Sequence, residues 1–212
     1  MSTTAISAPI RRTQAQRRAE SDDRLLSAAA EIVAAEGYHA LTLERVGDRA
    51  GFSRGLASRK YGSKDGLIEA LIRRTDAYVN DRIDAAVAGV IDPVERILAL
   101  FDRFFELVLT DAAVRAYFVL YGALISNRLG PGGVFEDVQG RFGARIAGLI
   151  KAAQIARALP ADLPTEHAAF MVGSLLAGIS IEIEMDSFDR SPRSTGPMRA
   201  NLAAMLRRAL GG

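Results

Sequence analysis

Apolar residues recur along this chain at intervals of three and four, and no stretch of useful length alternates apolar with polar, so the pattern predicts helices and no sheet. Leu25, Leu26, Ala29, Ile32 and Val33 mark the first helix, with Ser21 as its expected N-cap, Asp22 and Asp23 in the first turn, and Gly37 as its stop. Thr42 caps a second helix running to about Ala50, from which Leu43 and Val46 face inward. Gly51-Phe52-Ser53 is a tight turn: glycine supplies the unusual backbone angles, Phe52 plugs a small core and Ser53 caps a third helix whose Leu56 and Tyr61 pack inward. Ser63 caps a long fourth helix through Leu67, Ile68, Leu71, Ile72, Tyr78, Val79 and Ile83.

Asp92-Pro93-Val94-Glu95 starts a fifth helix, with an acid at the cap, proline at the first position and Glu three residues after the cap. A sixth runs from about Asp111 to Ser126, and Gly130-Pro131-Gly132-Gly133 reads as loop. The seventh spans about Val134 to Leu159, the eighth Thr165 to Met185, and the ninth Met198 to Leu210 after a polar loop over Asp186 to Pro197. The expected fold is all-α, with a three-helix helix-turn-helix head over residues 21–66 and a body of about six helices over residues 67–212. Residues 1–20 lack periodicity and read as a flexible basic arm.

With 212 residues, 49% of them hydrophobic, the chain has enough apolar material for a sizeable core. It contains no cysteine, which removes disulfides and thiolate chemistry, and its two histidines, His39 and His167, have no zinc-binding spacing. Neither histidine has a partner for nucleophilic or acid–base catalysis, so no catalytic residue, metal or cofactor is expected. The glycine cluster near residue 130 lacks the Lys-Ser/Thr of a phosphate-binding loop. The longest apolar run, Phe170 to Ile181, is short for a membrane span, and no signal peptide is readable, so the expected place is the cytoplasm.

Charge changes the picture of the head. Residues 1–64 hold eleven Lys or Arg against seven Asp or Glu, and the rest holds sixteen against eighteen. A helix that reads DNA needs small or polar residues where its backbone approaches, cations for phosphates and base edges, and apolar residues behind to hold its angle. The third helix has all three, with Ser53, Arg54, Gly55, Ser58, Arg59 and Lys60 on the candidate face.

This stretch resembles the TetR family of bacterial transcriptional regulators. Gly37-Tyr38, Thr42, Val46, Ala50-Gly51-Phe52-Ser53, Gly55, Tyr61, Ser63-Lys64 and Leu67 carry the resemblance, which covers roughly residues 21 to 75. It implies that Thr42 and Lys64 hold phosphates at the edges of the motif and that the helix from Arg54 to Tyr61 enters the major groove of a double-stranded operator. Ser58 stands where the family usually has an aromatic residue, and Lys60 where histidine is frequent, so contacts by those rings have no counterpart here.

For the body, the resemblance implies a small-molecule site and a homodimer through the last two helices, where Gly173, Ser174, Ala177 and Gly178 are small. The aromatic central helices propose Phe101, Phe105, Tyr117, Phe118 and Tyr121 as cavity walls, with Arg115 and Glu182 to orient a polar group, although rings at this spacing also make ordinary core. The reading is a ligand-responsive DNA-binding regulator: a repressor that binds a palindromic operator as a dimer and is released by a small, largely apolar effector. A helical architectural DNA-binding protein without a sensor, and an all-helical enzyme, are the alternatives. The residues are silent on repressor against activator.

Overall fold

The computed structural model describes residues 13–128, 130–184 and 188–211, and these form nine α-helices and no strand. The helices are α1 (Gln14–Glu36), α2 (Leu43–Arg49), α3 (Arg54–Tyr61), α4 (Lys64–Val87), α5 (Pro93–Thr110), α6 (Ala112–Asn127), α7 (Gly132–Ile155), α8 (Thr165–Glu182) and α9 (Pro192–Leu210). A 3-10 turn, Tyr38–Ala40, joins α1 to α2.

Side-chain caps set five of the nine helix starts. Thr42 accepts from the Arg45 amide, Ser63 from Gly66, Asp92 from Val94 and Glu95, and Asp111 from Ala113 and Val114. Leu25, Ile32, Leu41 and Val46 close the head against Leu67, Leu71 and Ile72 of α4. In the body α5 is central, packing on α4, α7, α8 and α9, and Phe101 and Phe105 are fully buried there. The α1 helix also lies along α6, so head and body share a second seam beside α4.

Several expectations are corrected. The first helix starts at Gln14, capped by a reciprocal pair in which Thr13 accepts from the Gln16 amide and Gln16 from the Thr13 amide; Ser21 is inside the helix, donating to the Arg18 carbonyl. Residues 14–20 of the expected arm are therefore helical, and residues 1–12 lie outside the described residues. Polar residues face water all round those first turns, so they leave no hydrophobic period to read. Ser53 is the N-cap of α3 by backbone shape but its hydroxyl makes no capping bond.

Gly132 and Gly133 are in the first turn of α7, where glycine forfeits no intrahelical bond from its own amide, and the buried Phe135 and Val138 anchor the helix after it. The same helix stops at Ile155, earlier than expected, with Arg157 in a left-handed conformation at φ 59°. The α9 helix begins at Pro192 and carries Pro197 in its second turn, at the cost of one backbone bond, while Thr195, Leu206 and Leu210 anchor it. Glu95 leaves the expected capping box and pairs with Arg207 of α9. The α8 helix ends at Glu182, and the expected terminus, Met185, lies outside the described residues.

Gly66 sets how closely α4 follows α3. A Cβ at this position would sit 2.2 Å from the Tyr61 carbonyl oxygen, a backbone atom that cannot rotate away. Gly66→Ala is expected to lower stability by about 1–3 kcal/mol in urea denaturation, by forcing the two helices apart. Gly55→Ala, where a Cβ would meet nothing, leaves stability unchanged or raises it by up to about 1 kcal/mol.

Candidate nucleic-acid interface and effector cavity

The turn between α2 and α3 is sealed from α1. Gly51 has φ 73°, and an added Cβ would come 2.9 Å from Arg24 Nη2. That guanidinium lies 4.5 Å from the centre of the Phe52 ring and donates to the Ala50 carbonyl, so one arginine holds the backbone and the plug of the turn together. Arg24 had no signal as a member of the motif, because it lies 27 positions before Gly51 and reaches it only through the fold.

Behind α3, Ala57 is fully buried, and Leu56 and Tyr61 are half-buried against the core. Gly55 and Arg59 are exposed on the outer side and Ser58 is half-buried. The Arg54 side chain lies outside the described residues. Lys60 does not project freely. Its Nζ is 2.6 Å from Asp22 Oδ1 and donates to the Arg18 carbonyl at 3.1 Å, leaving its side chain 22% exposed.

The Tyr61 hydroxyl donates to the same Asp22 oxygen at 2.8 Å, and burial, followed by that hydrogen bond, pushes the phenol well above its ordinary pKa. Asp22 thus fastens the C-terminal end of α3 to α1. At the other edge, Lys64 donates to the Tyr38 carbonyl at 2.7 Å with its ammonium 3.7 Å from the Tyr38 ring centre. Burial pulls this lysine below its ordinary value, while Asp65 opposes the shift.

In the body, α4, α5, α6, α7 and α8 enclose a cavity of about 50 Å³. Its aromatic walls are Phe104, Tyr117, Phe118 and Phe142, and Thr75, Asp76, Tyr117 and Gln139 bring the polar groups. Thr75 donates to the Leu71 carbonyl of its own helix. Tyr117 is 7% exposed and its buried hydroxyl has no hydrogen-bond partner. Burial raises this phenol's pKa, Tyr121 and Asp76 add to the rise, and the neighbouring Gln139 amide opposes it.

Residues 25–71 match the family described as bacterial regulatory proteins, tetR family. This chain is similar to that family over its head and the start of α4. The HTH-type transcriptional regulator BetI 1 of Chromohalobacter salexigens is 34% identical over 99 residues, covering 46% of this chain and 44% of the regulator. The chain therefore spans less than half the length of this curated relative. Among solved structures, a putative TetR-family transcriptional regulator from Rhodococcus sp. aligns with TM-score 0.76 at 17% identity, covering 90% of this chain and 98% of the other. AibR, solved in complex with isovaleryl coenzyme A and operator DNA, aligns with TM-score 0.69 at 13% identity, covering 88% and 97%. At these identities the alignments show a shared fold alone, and it reaches through the body as well as the head.

Of the body residues expected in a tetR-family ligand site, Tyr117 and Phe118 line the cavity. Phe101 and Phe105 are 1% exposed and lie in the core away from the cavity wall. Tyr121 stacks on Tyr117 behind the wall, with ring centres 6.3 Å apart. Arg115 is half-buried outside the wall, and Glu182 is exposed beside a separate surface groove with Leu175 and Phe188. Spacing cannot tell rings that fill a core from rings that face a space. Asp76 and Gln139 were missed, and each had a signal: a polar residue within an apolar helical stripe, Asp76 between Ile72 and Val79 and Gln139 between Phe135 and Phe142.

Removing the Asp22 fastening tests the geometry of the head. Tyr61→Phe is expected to cost about 0.5–1.5 kcal/mol in urea denaturation through the lost hydrogen bond. Asp22→Ala is expected to cost more, because it leaves both the Tyr61 hydroxyl and the Lys60 ammonium without their shared acceptor.

Proposed function

We propose that this chain is a ligand-responsive DNA-binding transcriptional regulator: a cytoplasmic repressor that binds a palindromic operator as a homodimer and is released by a small, amphipathic effector. The observation that carries the reading is the extent of α4. It contributes Lys64 at the edge of the DNA-reading motif and Thr75, Asp76 and Val79 to the cavity wall. A change at the cavity that moves α4 therefore moves the base of α3.

At the DNA, α3 enters the major groove with Gly55 giving close backbone approach, and nothing in this chain needs that position empty. Arg59 supplies an exposed cation, Ser53, Arg54 and Ser58 complete the reading face, and Thr42 and Lys64 hold phosphates on either side. Lys60 and Tyr61 contribute by holding α3 on Asp22, with Lys60 keeping enough exposure to add its charge to the phosphate field.

The pairing surface is the outer face of α8 and α9. Phe170 is 77% exposed, Met171 42%, Ile181 43% and Met205 58%, an apolar set that a second copy would cover in a two-fold four-helix contact. Two such heads read half-sites about one helical turn, or a multiple of it, apart. Effector acts by binding more tightly to the head spacing that fits the operator poorly, and its effect cannot exceed that difference in affinity. The AibR complex, with operator and small molecule together, supports this reading by similarity of fold. The cavity between the aromatic helices favours a regulator over an architectural protein without a sensor.

DNA recovered by selection with the purified protein supplies the operator for the test. Arg59→Ala with Lys60→Ala is expected to abolish binding in fluorescence anisotropy while helicity and sedimentation stay unchanged; undiminished binding would overturn the assignment. Separately, Phe170→Glu with Ile181→Glu is expected to convert the dimer to monomer in sedimentation velocity and to weaken operator binding at least about tenfold, because half the contacts are lost.

A further inference from the structure

The cavity wall is unbalanced in charge. Asp76 is its one charged residue, and no Lys, Arg or His lines the space among the described residues. The Asp76 side chain is 15% exposed, and its counterion comes from α7: Arg141 Nη2 donates to Oδ2 at 2.7 Å, while Asn80 donates to Oδ1 at 2.9 Å. Arg141 itself is 53% exposed. Across the cavity, the buried Tyr117 hydroxyl makes no hydrogen bond, and the nearby Gln139 amide leaves its oxygen able to accept from an incoming N–H or O–H donor. The remaining surface is largely ring faces and aliphatic groups.

An anionic ligand would place its charge beside Asp76 with no cation in the wall to receive it. A neutral apolar ligand would leave the Tyr117 hydroxyl unpartnered. A protonated amine satisfies both sites: it donates to the Tyr117 oxygen and to Asp76, and its charge is favoured by the faces of the surrounding rings. We infer that the effector is an organic ammonium with an apolar body, whose charged nitrogen replaces Arg141 as the counterion of Asp76. This rests on the regulator reading above and names the ligand class of its cavity.

The replacement has a mechanical consequence. Among the described residues three side-chain hydrogen bonds cross from α7 to α4: Arg141 to Asp76, Arg145 to Asn80 at 3.1 Å, and Arg145 to Asp84 at 2.5 Å. When the ammonium takes Asp76, the first is released while the carboxylate stays neutralised, so α4 gains freedom at the level of the cavity without a buried unpaired charge. A space of about 50 Å³ admits a group of a few heavy atoms, and a longer body requires α7 to ease away from α4. The bond that the ammonium displaces is one that resists that movement.

The test is isothermal titration calorimetry of the full chain with straight-chain alkylamines from methyl to octyl, beside the matched alkanols and alkanoates. Over part of the series the amine is expected to bind at least about tenfold more tightly than the alkanol or alkanoate of equal length. Asp76→Asn removes that preference, Tyr117→Phe weakens amine binding severalfold, and Arg141→Ala strengthens it by removing the competitor. Thermal unfolding without ligand checks that each variant is folded, and Tyr117→Phe and Arg141→Ala carry the test where Asp76→Asn is not. Alkanols or alkanoates binding as tightly as amines, or folded Asp76→Asn keeping the amine preference, would overturn the cationic effector and leave the regulator standing. If no compound of any series binds, the effector site fails with it.

Discussion

The structure depends on one helix being continuous through two environments. The 24 residues of α4 span about 36 Å if straight, which is the reach of a small domain. Near its start Gly66 lies under the Tyr61 carbonyl with no room for a side chain, so the end of α3 is seated directly on the first turn of α4. Further along, Leu67, Ile68, Leu71 and Ile72 are buried, then Thr75 and Asp76 face a cavity, then Val79, Ile83 and Val87 are buried again. One face thus changes from head core to cavity wall to body core without a break. A helix packed at both ends is harder to bend than to shift, and interfaces of this kind have discrete arrangements.

The head is held to the body by more than this helix. The α1 helix lies along α6, the helix that brings Tyr117 and Phe118 to the cavity, and Arg74 of α4 ties to Asp23 of α1 at 2.9 Å. A boundary between residues 66 and 67 falls inside α4 and separates pieces that share buried side chains. The polar fastenings of α3 also come from α1, through Asp22 and the Arg18 carbonyl. Movement of α6 at the cavity therefore has its own route to α3, by way of α1, and the two routes meet where Lys60 and Tyr61 share Asp22.

Local chemistry was legible in the sequence where a short side chain meets its own helix. Thr42, Ser63 and Asp92 make the caps that their positions imply, because a cap bond needs only residues two or three places away. The apolar stripes gave the helices for the same reason. What stayed hidden involves elements far apart in the chain. Thr13 caps a helix whose first turns face water all round, so no period announced it, and Pro197 is tolerated because α9 is anchored elsewhere. In the site, Lys60 read as an exposed cation but spends its charge on a carboxylate 38 positions earlier, and Arg24, which no local pattern singles out, seals the turn.

The cavity makes the same point about polar residues. Rings were expected to mark the site, yet Phe101 and Phe105 are core, and the polar groups on the wall give it its chemical character. Asp76 sits at low exposure with Arg141 and Asn80 beside it, so the carboxylate has both a counterion and a hydrogen-bond donor. That requirement links occupancy to geometry. Any group that replaces Arg141 must also bring a positive charge, and any group that does not must leave the α4 to α7 contact closed. The ion pair that holds α4 to α7 at the cavity is thereby the feature that selects what can move it.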